Sequence, residues 1–99
     1  MQCSTIDPII ARRRLTQSGS SELLVEIGAP RPFDDGTGWY CPYRIGGEGS
    51  RIGWIGGVDG VQALRLAIRV IGAELQGLVN SGQHLTWDGS PDLGFQGDP

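Results

Sequence analysis

The stretch that decides the fold is GGVDGVQALRLAIRVIGAELQGLVNSG, residues 56–82. Val61, Leu64, Ile68, Ile71, Leu75 and Leu78 recur at spacings of 3, 4, 3, 4 and 3. That is the period of an amphipathic helix. Asp59 stands three residues before Gln62, the spacing of an N-cap and its reciprocal partner. Asn80-Ser81-Gly82 supplies the stop. The pattern predicts one helix over about 60–79, with its 61/64/68/71/75/78 face on the core and Gln62, Arg65, Arg69 and Gln76 on the opposite side. Leu66, Val70, Ala73 and Gly77 form a second, narrower apolar stripe that needs a cover. The C-terminal tail, with Leu85, Trp87, Leu93 and Phe95, is the first candidate. A homodimer or partner contact through Leu66, Val70 and Ala73 is the second.

Everything before the helix reads as strand and turn. Residues 9–16 lead through Gln17-Ser18-Gly19-Ser20, a turn signal, into ELLVEIG (22–28). There Leu23, Val25 and Ile27 alternate with Glu22, Leu24 and Glu26, a half-buried strand pattern. The two runs predict a hairpin in which Arg residues of Arg12-Arg13-Arg14 pair with Glu22 or Glu26. Pro30 and Pro32 around Arg31 exclude helix, and Asp34-Asp35-Gly36-Thr37-Gly38 is a loop tip. WYCPYRI (39–45) is a third strand, with Trp39, Cys41, Tyr43 and Ile45 on one face and Tyr40, Pro42 and Arg44 on the other. Pro42 cannot donate to a ladder, so this strand is expected at an edge or with a bulge. RIGWI (51–55) is a fourth, with Ile52 and Trp54 sharing a face. HLTW (84–87) can add a short strand.

The chain has 99 residues, enough for one domain and one core. Residues 1–8 and 96–99 are expected to be flexible ends. Its 17 glycines predict many turns. Eight basic residues, all Arg, oppose 11 acidic ones, for a net charge of −3. A phosphate-binding domain is usually basic, so a nucleic-acid partner is not expected. No secretory leader or apolar run of spanning length is seen, so the chain is expected to be cytoplasmic and off the membrane.

No residue pattern calls for a catalyst, a metal or a cofactor. A hydrolase needs a nucleophile beside an oriented base. Cys41 and His84, the lone His, would have to meet, but the neighbours of Cys41 point to a packed face. Two cysteines and one His give no usual zinc set. The Gly46-Gly47-Glu48-Gly49 run lacks the Lys of a phosphate loop. What remains is surface recognition. Arg31, Asp34, Asp35, Tyr40, Trp54 and Asp59 are the candidate binding residues, because aromatics and Arg dominate interface hot spots and carboxylates steer a basic partner.

The segments GAPRPF (28–33), WYCPY (39–43) and GGVD (56–59) with the helix after it resemble a family of small uncharacterised bacterial proteins, a domain of unknown function. The resemblance covers roughly 11–95 and implies no activity. The outline also looks like immunity proteins of bacterial toxin systems, a likeness of fold alone. The expectation is therefore an α+β domain with a four-stranded antiparallel meander sheet, one long helix and a short C-terminal tail or hairpin. Its expected role is a non-enzymatic acidic protein-binding module of immunity or inhibitor type. The alternatives are a small-molecule-binding domain or small enzyme with a pocket between the helix and residues 30–38, and a homodimeric structural protein.

Overall fold

The computed structural model describes residues 5–19 and 21–95. Its elements are β1 (Ile9–Gln17), β2 (Ser21–Gly28), β3 (Arg31–Pro32), β4 (Trp39–Ile45), β5 (Ile52–Gly57), α1 (Gly60–Asn80) and β6 (Leu85–Thr86). The strands form one antiparallel sheet in the order β3-β4-β2-β1-β6, with β5 on the other edge of β4. The expected meander of β1, β2, β4 and β5 is present, but the sheet has six strands rather than four. β3 and β6 are two residues each, too short to leave a periodic trace in sequence.

Of the two places expected for Pro42, an edge or a bulge, the structure shows the irregularity and not the edge. β4 lies inside the sheet, between β5 and the line formed by β2 and β3. Its partner on that side changes at the proline. Ile27 faces Tyr43 on β2, and Arg31 faces Tyr40 on β3. From 27 to 31 the chain advances four residues while β4 advances three, so one extra residue is accommodated. Continued one step, the register of β2 sets Gly28 against Pro42, which has no N–H to give. The Gly28 carbonyl accepts from the Cys41 thiol at 3.4 Å instead. The Ala29 N–H donates to the Pro8 carbonyl at 3.0 Å. A Cβ on Gly28 would stand 2.8 Å from Pro42 Cγ, so only glycine fits.

An extra residue exchanges the faces of every side chain beyond it. Here it puts Arg31 on the face of its partner Tyr40, opposite the face of Val25 and Ile27. The sheet thus has two different faces. One carries Leu15, Val25, Ile27, Cys41 and Tyr43 and forms the core with α1 and the tail residues Leu85, Leu93 and Phe95. The other carries Arg12, Arg14, Glu26, Tyr40, Pro42, Arg44 and Trp54.

The helix is present at nearly the expected bounds but is rotated. Its buried residues are Ala63, Ala67, Ile71 and Leu75. Val61 is 74% exposed and Ile68 37%, so two members of the predicted core face lie at the surface. The reason is the line of closest approach. Ala63 packs on Gly57, where an added Cβ would stand 2.6 Å from the Ala63 nitrogen. Small residues let the helix backbone settle on β4 and β5, and the large ones flank that line. A pattern built on large apolar residues finds the helix but misplaces its axis of contact. The Asp59 carboxylate accepts from Gln62 N–H at 2.8 Å, and Gln62 Oε1 accepts from Val58 N–H at 2.8 Å, as the N-cap spacing predicts.

Residues 1–4 and 96–99 lie outside the described residues, Cys3 among them. Residues 5–8 belong to the fold: Ile6 is 3% exposed and packs on Gly28 and Pro42. Substituting Gly57→Ala should cost on the order of 2 kcal/mol, because the backbone of Ala63 must move. Val61→Ser should stay within about 0.5 kcal/mol. Urea unfolding of the two variants checks both; a larger loss in Val61→Ser than in Gly57→Ala would contradict the observed rotation of the helix.

Candidate functional site

The helix covers one sheet face. Ile6 packs against Gly28 in the middle of the other and leaves two ends, one aromatic and one charged. At the aromatic end the Phe33 and Tyr40 rings stack with centroids 5.1 Å apart. The edge of Trp54 meets both, at 5.7 Å from Phe33 and 6.0 Å from Tyr40. Edge and offset contacts suit the quadrupoles of the rings. Tyr40 is 6% exposed and forms the floor, while Trp54 is 39% exposed and offers the contact area.

The loop beside this cluster is held in shape. Phe33 N–H donates to the Gly38 carbonyl at 2.8 Å, and Gly36 N–H to the Phe33 carbonyl at 3.0 Å. Asp35 accepts from the Thr37 hydroxyl at 2.7 Å and from its N–H at 3.1 Å. These bonds, the hydroxyl first, hold the Asp35 carboxyl below its ordinary 3.8, so it stays ionised. Asp34 is exposed next to it.

Of the candidate residues, the structure therefore brings together Arg31, Asp34, Asp35, Tyr40 and Trp54, around Phe33. Phe33 is not among the residues that the sequence singles out. Its role depends on the one-residue step at Gly28–Pro30, which no local pattern announces. Asp59 is set apart, because capping the helix occupies its carboxylate. Leu66 and Val70 are half-buried and Ala73 is exposed. The tail reaches one end of that stripe: Ala73 lines a cavity with Leu85, Leu93 and Phe95, and Phe95 packs on Gly72. Where the helix meets residues 30–38, Trp39 and Pro30 stand against Gly60.

At the charged end Glu26, 3% exposed, holds two guanidinium groups. Arg44 donates to Oε1 from Nε and from a terminal nitrogen, both at 2.8 Å. Arg12 Nε donates to Oε2 at 3.4 Å. Arg14 meets Glu22 at 3.3 Å, so the hairpin pairs Arg with both predicted carboxylates. Arg12, Arg14, Arg44, Glu26 and Glu48 line a groove of about 590 Å³. A second cavity, about 450 Å³, lies between the C-terminal half of α1 and the tail, with Arg69, Gln76, Val79 and His84 on its walls.

The buried polar groups of the core serve packing. Cys41 is fully buried, and desolvation pushes its thiol up to about 11, far from nucleophilic at neutral pH. Burial first, and then its bond to Glu74 at 2.5 Å, pushes the Tyr43 hydroxyl up to about 12. His84 is exposed beside β6, whereas Cys41 lies inside the core, so the two do not form a nucleophile and base pair. Among the described residues, no three His, Cys, Asp or Glu gather to hold a metal ion. No described helix is long and apolar enough to cross a membrane.

Fold and site together define a small α+β domain with one helix-covered sheet face and one ring-bearing face that the helix does not cover. The chain belongs to the family described as Domain of unknown function (DUF6968), which matches residues 11–97. No curated protein and no solved structure matches it.

Two outcomes follow from the buried groups. Glu26→Ala leaves Arg44 half-buried without its carboxylate and should cost about 3 kcal/mol in urea unfolding. The thiol and phenol shifts both favour the neutral form in the folded chain, so the unfolded chain releases these protons at lower pH. Stability is then full below about pH 9 and falls as pH rises from 9.0 to about 11 for Cys41, and from 10.0 to about 12 for Tyr43. Urea midpoints followed across this range should fall, less steeply in Cys41→Ala; a flat profile contradicts the burial of both groups.

Proposed function

We propose that this chain is a non-enzymatic protein-binding module, a bacterial cytoplasmic partner of inhibitor or immunity type. The observation that carries this reading is the Phe33–Tyr40–Trp54 surface on the sheet face left clear of the helix. Trp54 supplies a large, half-exposed aromatic area on a rigid strand, and Tyr40 fixes it from below. Rings of this kind anchor interfaces. Asp34 and Asp35 stand at the rim, in a loop tied by its own hydrogen bonds, where ionised carboxylates speed encounter with a basic partner. Arg31 adds a planar donor to the same face. The overall charge of −3 supports a basic target.

A second reading, a small-ligand domain, is favoured by the cavity between α1 and the tail, whose volume is in the range of ligand sites. Native mass spectrometry of the purified chain would show a retained ligand.

The binding reading is tested by capture from the host lysate, followed by kinetics on the captured protein. Asp34→Arg with Asp35→Arg should slow association by about tenfold or more at low salt, with little change at high salt. Trp54→Ala should mainly raise the dissociation rate, by about thirtyfold for a hot-spot ring. A captured partner that binds both variants as it binds the parent chain contradicts the proposal.

A further inference from the structure

The edge of the sheet opposite the aromatic end carries a separate feature. β6 covers β1 only at Thr16 and Gln17. From Ile9 to Leu15 no described strand lies beside the outer edge of β1. The direction of its backbone groups follows from one bond. Ser18 N–H donates to the His84 carbonyl, toward β6. Gln17 C=O, on the far side of that peptide unit, therefore points to β2. Alternation along the strand then turns the N–H and C=O of Thr16, Arg14 and Arg12 outward. The register with β2 is regular from Ala11 to Gln17, so the phase holds to Arg12.

A free edge is a template for another strand. The side chains beside it select which. Arg12 and Arg14 lie on the exposed face, with side chains 55% and 66% accessible. Their pairs with Glu26 and Glu22 are 3.4 and 3.3 Å long, and Glu26 is shared with the closer Arg44. On the other face a groove of about 220 Å³ opens directly beside the edge, walled by Ala11, Val25, Ile27, Ile68 and Phe95. Arg13 is held along it, with its guanidinium 3.7 Å from the centroid of Trp87 and a bond to the Leu93 carbonyl. A second copy of β1 is a poor occupant, since antiparallel self-pairing would set Arg against Arg.

We propose that the outer edge of β1 is a docking site for an extended acidic segment of another protein, added as an antiparallel strand. Main-chain bonds to Arg12 and Arg14 hold it. Acidic residues of the segment stand opposite Arg12 and Arg14. The apolar residue between them stands opposite Arg13, on the sheet face where the groove opens. The segment is thus acidic and apolar in alternation. This site is independent of the Trp54 surface, and either can fail alone.

The test uses the whole chain and a fluorescent peptide of about seven residues, alternating Glu and Val, the length of an ordinary strand. Its anisotropy should report saturable binding, and a peptide alternating Lys and Val should not bind. Arg14→Pro removes an outward N–H and no bond to β2, so the fold should survive while affinity drops about tenfold. Arg12→Gln with Arg14→Gln should weaken binding by a similar factor. On the parent chain, peptide saturation should slow amide hydrogen exchange at Arg12 and Arg14, a reading that holds even if a variant unfolds. No binding of the Glu-Val peptide, equal binding of the Lys peptide, or unchanged exchange at Arg12 and Arg14 overturns the proposal. So does single-stranded DNA that competes with the peptide and is indifferent to Arg14→Pro, which would make the edge a basic patch alone.

Discussion

A proline in the middle of a sheet sets the terms for the rest of this fold. Pro42 cannot donate, and the ladder between β2 and β4 cannot run past it. The chain answers with a glycine, one extra residue and a thiol. Gly28 gives Pro42 room, the Cys41 thiol takes up the Gly28 carbonyl, and pairing resumes at Arg31 on the opposite phase. That change of phase is what carries Phe33 to the stack with Tyr40. It also leaves Pro30 against Gly60 at the helix start. The three segments that mark the chain, GAPRPF, WYCPY and GGVD, are thus not separate signatures. They meet at one junction.

The second constraint is the close approach of α1. Ala63 and Ala67, with Gly57 beneath, bring the helix onto β4 and β5. One helix cannot cover a sheet of six strands. The tail extends the cover over β1, where Arg13 lies against Trp87 and near Phe95. The opposite face stays clear of both, and Ile6 packs on it at Gly28. Cover of this kind is asymmetric: it builds the core on one side of the sheet and leaves Trp54 half-exposed on the other.

Much of this is legible in the residues. The helix, its cap at Asp59, the alternation of β2 and β4, and the Arg–Glu pairing of the hairpin are all local or nearly local patterns. What is not legible depends on register. The rotation of α1 is fixed by small residues, whose burial has no hydrophobic weight in a periodic pattern. The interior place of Pro42 depends on a partner that changes midway along the strand. Phe33 carries no strand or helix period of its own, so nothing near it in sequence pairs it with Tyr40 and Trp54. Of the candidate residues, those tied to β3, β4 and β5 converge. Asp59 does not, because a capping role and a binding role look alike in sequence.

The recognition role assigned to the uncovered face rests on Trp54 meeting another protein while the exposed residues of α1 do not. Site-specific photo-crosslinking in the host tests this most directly, with a photoreactive residue placed at Trp54 in one chain and at Val61 in another. A single protein joined at position 54, and absent at 61, is the result predicted by a binding face that carries Phe33, Tyr40 and Trp54. A protein joined at 61 and none at 54 would contradict it and move the recognition surface to the helix.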